Sequence, residues 1–97
     1  MPAYIALLSW TGQGVRNVRE TTKRFQEGTS VFEQMGVNIL SFHWTSGRYD
    51  AVAVSEAPDD ETASAAALAI ASDGNVRTET LRAYSLEDME RIIGKMP

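Results

Sequence analysis

The 97-residue sequence contains no cysteine, a single histidine and only three prolines. The missing cysteine excludes disulfides, thiolate nucleophiles and Cys-ligated metals. With one imidazole, His43, and no carboxylate pair at helical i,i+4 spacing to it, a bound metal is not expected. Positive charge is scarce as well: nine Lys and Arg against 13 Asp and Glu leave a formal net charge of −4, and the basic residues form no run. Neutralising a phosphate backbone or an anionic membrane needs clustered cations, so neither nucleic acid nor membrane is an expected partner. Long apolar runs are absent. AYIALLSW has no basic segment before it, as a secretion signal would, and SAAALAIAS is far shorter than the roughly 20 residues that span a bilayer. A soluble, cytoplasmic chain without cofactor is the expectation. Gly12-Gln13-Gly14 is too short for a dinucleotide fingerprint, and no Ser/His/Asp set can be argued.

What is present specifies a fold. Hydrophobic residues make up 43% and charged residues 23%, the balance of a globular protein, and the length allows one domain over 1–97. Tyr4, Ile5, Leu7, Leu8 and Trp10 make residues 3–10 a strand that is apolar on both phases, hence covered on both faces. After the TGQG break, Val15, Val18, Thr22, Phe25, Phe32 and Met35 trace a helical stripe, with Arg16, Arg19, Glu20, Lys23 and Glu27 opposite. Gly28 costs such a helix ~1 kcal/mol and is expected to kink or end it. Gly36 suits the position after a helix end. NILSFHWTS and YDAVAVSEA read as two strands joined near Gly47. Asp59 caps an Ala-rich helix carrying Ala63, Ala66, Ala67 and Ile70 on one stripe, and Asp73-Gly74-Asn75 ends it. NVRTETLRAY is a fourth strand, and Ser85 caps a last helix bearing Leu86, Met89, Ile92 and Ile93.

The order is β-α-β-β-α-β plus a terminal helix, the ferredoxin-like α+β arrangement with a four-stranded antiparallel sheet. Its two helices cover one sheet face. Since strand one is apolar on both, a partner subunit is expected on the other, giving a homodimer, or a higher oligomer of dimers, in the form of a dimeric α+β barrel.

Two registers compete for the hairpin at WTSGRYDAV. A two-residue Ser46-Gly47 turn pairs Trp44 with Tyr49 and His43 with Asp50. A three-residue loop, Thr45-Ser46-Gly47, pairs His43 with Tyr49 and Phe42 with Asp50. The second is preferred because it gathers Leu40, Phe42, Trp44, Val52 and Val54 on one face and Ile39, Ser41, His43, Tyr49, Ala51 and Ala53 on the other. His43 and Tyr49 then point together to the barrel side beside small residues. Either register requires a positive φ at Gly47. Asp50 after a turn is also a ready acceptor for neighbouring backbone groups, and Trp10 and Trp44 suit a core or interface. Arg77 and Arg82 fall on opposite phases of strand four and form no anion clamp.

Three segments, YIALLSWTGQG, FHWTSGRYDAVAVSEAPDDE and GNVRTETLRAYS, resemble the GYD-domain proteins, small bacterial and archaeal proteins. Gly47, Tyr49 and Asp50 carry the family's motif, with Arg48 at its variable position. Gly28 and the Thr-Thr pair before Lys23 are less typical of the family's first helix. The resemblance implies a ferredoxin-like chain assembled as an α+β barrel, and brings no reaction with it.

The function read from these residues is a small-molecule binding or sensing module working as an oligomer, with His43, Tyr49, Asp50 and Trp10 as the ligand-binding residues. The alternatives are a cofactor-independent enzyme, monooxygenase- or isomerase-like, on a small aromatic or enolisable substrate, and an assembly protein without ligand. In the enzyme reading His43 is the base and Tyr49 the orienting hydroxyl.

Overall fold

A computed structural model describes Met1–Pro97. Strand β1 (Ala3–Trp10) leads into a short helix α1 (Gly12–Arg16), a 3₁₀ turn at Val18–Glu20 and helix α2 (Thr21–Gln34). Strands β2 (Asn38–Trp44) and β3 (Ala51–Glu56), helix α3 (Asp60–Ser72), strand β4 (Val76–Ala83) and helix α4 (Leu86–Gly94) follow. The strands form one antiparallel sheet in the order β2-β3-β1-β4, as the ferredoxin-like reading expects.

Alternation of side chains along β1 sends Tyr4, Leu8 and Trp10 to the helix-covered face. Tyr4 joins Phe32 of α2, Ala66 of α3, Val37 and Ala57 in the buried core, with Met35, Ile39, Ala63 and Ile70 packed around it. Ile5 and Leu7 go to the opposite face, beside Val54, Val52 and Leu81 on the neighbouring strands. No element of the chain covers that side. Only eight of the 97 residues are buried.

The helix caps follow the sequence signals. The Asp59 carboxylate accepts the Thr62 N–H at 2.8 Å, which holds that carboxyl below the usual carboxylate range. Ser85 and Asp88 form a reciprocal capping box. Gly36, with φ +81°, terminates the α2 end.

Three expectations are corrected. The first helix does not begin near Val15 and run on. Thr11 caps the separate turn α1, its side chain accepting the Gly14 N–H, and Val15 and Val18 stay 55% and 40% exposed. Gly28 does not end α2, which continues to Gln34, because a single glycine costs less than the packing of Phe25 and Phe32 on either side gains.

The hairpin register is the third. Trp44 pairs with Ala51, His43 with Val52 and Phe42 with Ala53, and the Thr45 N–H donates to the Asp50 carbonyl at 2.9 Å. The loop is therefore Ser46–Tyr49, longer than either register considered. An odd slip moves every β3 side chain to the other face, so Ala51 and Ala53 lie under the helices and Val52 and Val54 behind. A bulge between Ile39 and Ser41 restores Ile39 to the helix side with Phe42 and Trp44. Hairpins read by burial alone miss this, since a bulge lets two apolar residues an odd number apart share a face.

Gly47 has φ +136°, and a Cβ there would meet nothing within 4 Å. The cost of a side chain is therefore purely conformational. Gly47→Val should lower stability by about 1–2 kcal/mol and Ser46→Ala by much less. Urea midpoints for the two variants check this, and equal shifts would contradict the turn geometry.

Candidate functional site

Helix α2 lies over β2 and helix α3 over β4, so the middle strands run beneath the gap between them. Between Tyr4, Leu8 and Trp10, several of their helix-facing side chains are small: Ala6 of β1 and Ala51, Ala53 and Ser55 of β3. Thr78 and Thr80 continue this floor onto β4, and Gly28, Ala63 and Ala67 form small-residue walls. Small residues on floor and walls leave a groove with a cavity of about 170 Å³. An apolar cavity near 150 Å³ admits one aromatic ring.

One end of the groove is aromatic. Phe25, Phe42 and Trp44 stack with ring centroids 4.4, 4.9 and 5.7 Å apart, and Trp10 lines the same space. The Trp44 indole N–H donates to Thr21 Oγ1 at 3.1 Å, tying β2 to the first turn of α2. Arg24, one turn on, also lines the cavity. Its Nη1 donates to the Asn17 carbonyl at 2.7 Å, whereas Nη2 is buried without any hydrogen-bond partner. The 73–75 loop, whose Asp73 and Asn75 line the cavity, is bolted to α1. The Thr11 N–H donates to the Asn75 carbonyl at 3.1 Å, Thr11 Oγ1 to the Gly74 carbonyl at 2.5 Å, and Gln13 to the Asp73 carbonyl at 2.9 Å.

The opposite end carries a polar cluster. Tyr4 donates its hydroxyl to Asp60 Oδ1 at 2.5 Å, and the Arg82 guanidinium sits over the Tyr4 and Tyr84 rings at 5.5 and 4.9 Å. Burial first, and the bond to Asp60 second, push the Tyr4 phenol up to about 12. It stays a neutral donor throughout the physiological range.

Of the residues singled out from the sequence, Trp10 and Asp50 line the groove and His43 and Tyr49 do not. Asp50 has a structural task. Its N–H donates to the Leu8 carbonyl at 2.8 Å, and its Oδ2 accepts the Trp10 N–H at 2.8 Å. The carboxylate thus substitutes for a β3 carbonyl where that strand has turned away, and pins Trp10 at the groove end. Tyr49 reaches across the back of the sheet to donate to Glu79 Oε2 of β4 at 2.8 Å, a bond that raises its phenol above the ordinary value. His43 is exposed on the edge strand β2, beside Val52. His43, Val52, Leu7 and Glu79 form one row across the sheet, so three strand spacings, roughly 14 Å, separate His43 from the Tyr49 hydroxyl's partner.

Sequence reading missed Thr21, Arg24 and Phe42 as groove residues. A signal existed: positions 21, 24, 25, 28 and 32 follow helical spacing, and Arg24 falls inside that stripe rather than opposite it.

The family model described as GYD domain matches residues 4–93. A Thermus thermophilus protein named glutamine synthetase and cystathionine beta-lyase binding protein is 34% identical over 90 residues, 92% of this chain and 95% of its own length. No solved structure matches.

Proposed function

Because the chain belongs to the GYD-domain family, we propose that it is a small-molecule-binding module that assembles with itself and acts by docking on another protein. The groove between α2, α3 and the sheet carries this reading: a preformed cavity of about 170 Å³ with an aromatic end and a few converging polar groups has the form of a ligand site.

Two further observations support the protein contacts. Ile5, Leu7, Val52, Val54 and Leu81 make an apolar field on the uncovered sheet face, which a second copy would bury. Helix α4 holds Leu86, Met89, Ile92 and Ile93 between 37% and 73% exposed, an amphipathic stripe without an intrachain partner, and such patches mark interaction sites. The Thermus relative is named for binding two enzymes, and a metabolic enzyme of that kind, glutamine synthetase first, is the partner assigned to α4. A cofactor-independent enzyme built on His43 and Tyr49 is less well supported, as neither residue lines the groove.

Native mass spectrometry of protein purified without refolding tests the ligand reading. The expected spectrum is an oligomer carrying a small-molecule mass that denaturation removes. A ligand-free monomer at micromolar concentration would overturn it.

A further inference from the structure

We propose that the free edge of β4 pairs antiparallel with the β4 edge of a second copy, joining two sheets side by side into one of eight strands. It is a second contact, distinct from the uncovered sheet face.

The backbone shows which groups the edge offers. The Leu8 carbonyl accepts the Asp50 N–H, and Trp10 gives its N–H to the Asp50 carboxylate, so even-numbered residues of β1 turn towards β3. Odd-numbered ones turn towards β4, a pattern that the Thr11 N–H continues by donating to the Asn75 carbonyl. Leu81 stands opposite Ile5, so the odd-numbered residues of β4 answer β1. Val76, Thr78, Thr80 and Arg82 therefore aim N–H and C=O outward, and no strand takes them up. An unpaired edge is a template for another strand, and proteins blunt the edges that must stay single. The other edge, β2, has its bulge between Ile39 and Ser41. β4 instead keeps an unbroken register with β1 over its eight residues and contains no proline.

The residues of the edge select a second copy as its occupant. With Thr78 facing the second copy's Thr78, Arg77 stands opposite the second copy's Glu79, and the two-fold repeats the pair. Opposite charges facing across antiparallel strands stabilise the pairing, whereas like charges oppose it. Moving the two-fold to Glu79 sets two carboxylates against each other. Moving it to Thr80 sets Glu79 against Leu81 and Arg77 against Ala83, with no charge matched. Both members of the pair are available: Arg77 makes no salt bridge within the chain, and Tyr49 engages only Oε2 of Glu79. Ser64 and Leu68 of α3 border a crevice along the same edge with Thr78, Thr80 and Arg82, and Leu68 is 70% exposed. The two-fold brings the second copy's α3 alongside and covers that leucine. Its axis stands normal to the sheet, while the axis of a face-to-face pair lies in the sheet plane. Perpendicular two-folds are those of a dimer of dimers.

The chain has no cysteine, so one introduced thiol per chain reports the register. Thr78→Cys places two Cα atoms about 5.5 Å apart across the two-fold, within disulfide reach. Thr80→Cys leaves its two thiols four residues out of step, about 13 Å along the strands. Under oxidised glutathione, non-reducing electrophoresis should show Thr78→Cys forming a covalent dimer at least about tenfold faster than Thr80→Cys, with circular dichroism confirming that both variants fold. Both positions lie on the helix side of the sheet, so a face-to-face pair cross-links neither, and the result is independent of that contact. Adding Arg77→Glu to Thr78→Cys should slow cross-linking about thirtyfold when the pair is sparsely populated. Adding Glu79→Arg as well should restore most of the rate, because the charges are then exchanged rather than clashing. Equal or faster dimerisation of Thr80→Cys, or no covalent dimer from either variant, would overturn the pairing. Failure of the charge exchange to restore cross-linking would overturn the register and, with it, the choice of a second copy over a strand of another protein.

Discussion

Gly14→Ala should cost about 4–6 kcal/mol, on the scale of the whole stability of a small domain, although it adds one methyl group to the short helix α1. A Cβ on Gly14 would stand 1.9 Å from the Asn75 carbonyl oxygen and 2.8 Å from its carbon. Those are backbone atoms, so no side chain can rotate away. Relief requires α1 and the 73–75 loop to separate, and the strain of such overpacking is about 1–3 kcal/mol. Separation also breaks the Thr11 and Gln13 bonds to residues 73–75, at about 1 kcal/mol for each bond lost. The matched control is Gly28→Ala. Its Cβ would meet nothing within 4 Å, and Ala is favoured over Gly in a helix interior by up to ~1 kcal/mol, so this variant should be neutral or stabilised. Urea unfolding of both variants decides the matter, and a Gly14→Ala midpoint near that of the parent would refute the close approach.

Leu81→Lys should split the proposed self-assembly. Leu81 is 45% exposed on the edge strand β4, directly beside Ile5 on the uncovered sheet face. In an isolated chain a lysine there would reach water, and the substitution would shift stability by no more than about 0.5 kcal/mol. In a face-to-face pair of sheets the same ammonium would be stranded among Ile5, Val54 and their counterparts, where an unpaired charge is strongly disfavoured. A rise of roughly a hundredfold in the dimer dissociation constant, about 2.8 kcal/mol, is expected in sedimentation equilibrium. The circular dichroism spectrum should be unchanged. A variant that sediments as the parent does would show that this face is not the contact. The assembly surface would then have to be sought elsewhere, with α4 the first place to look.

Strand β1 illustrates what residue order alone determined. Its two apolar phases are visible in AYIALLSW, and both the helix-packed face of Tyr4, Leu8 and Trp10 and the uncovered face of Ile5 and Leu7 follow from period-two alternation. Asp59 and Ser85 announced their helices because a cap is a local bond, made within three residues of the side chain that supplies it. Element order was legible for the same reason.

The hairpin and the groove were settled elsewhere. The register of β2 on β3 depends on a four-residue loop and a bulge, and the bulge shows only once two strands are laid side by side. Asp50 could be placed as a backbone acceptor from its own sequence, yet the N–H it satisfies belongs to Trp10, 40 residues earlier. Arg24 simply follows Lys23 in the sequence of α2. That its second guanidinium arm is a buried, unpaired donor follows only from the docking of α2 over β2. Local bonds and periodicities are written in neighbouring residues, whereas which polar atom loses its water depends on the elements brought against it from elsewhere in the chain.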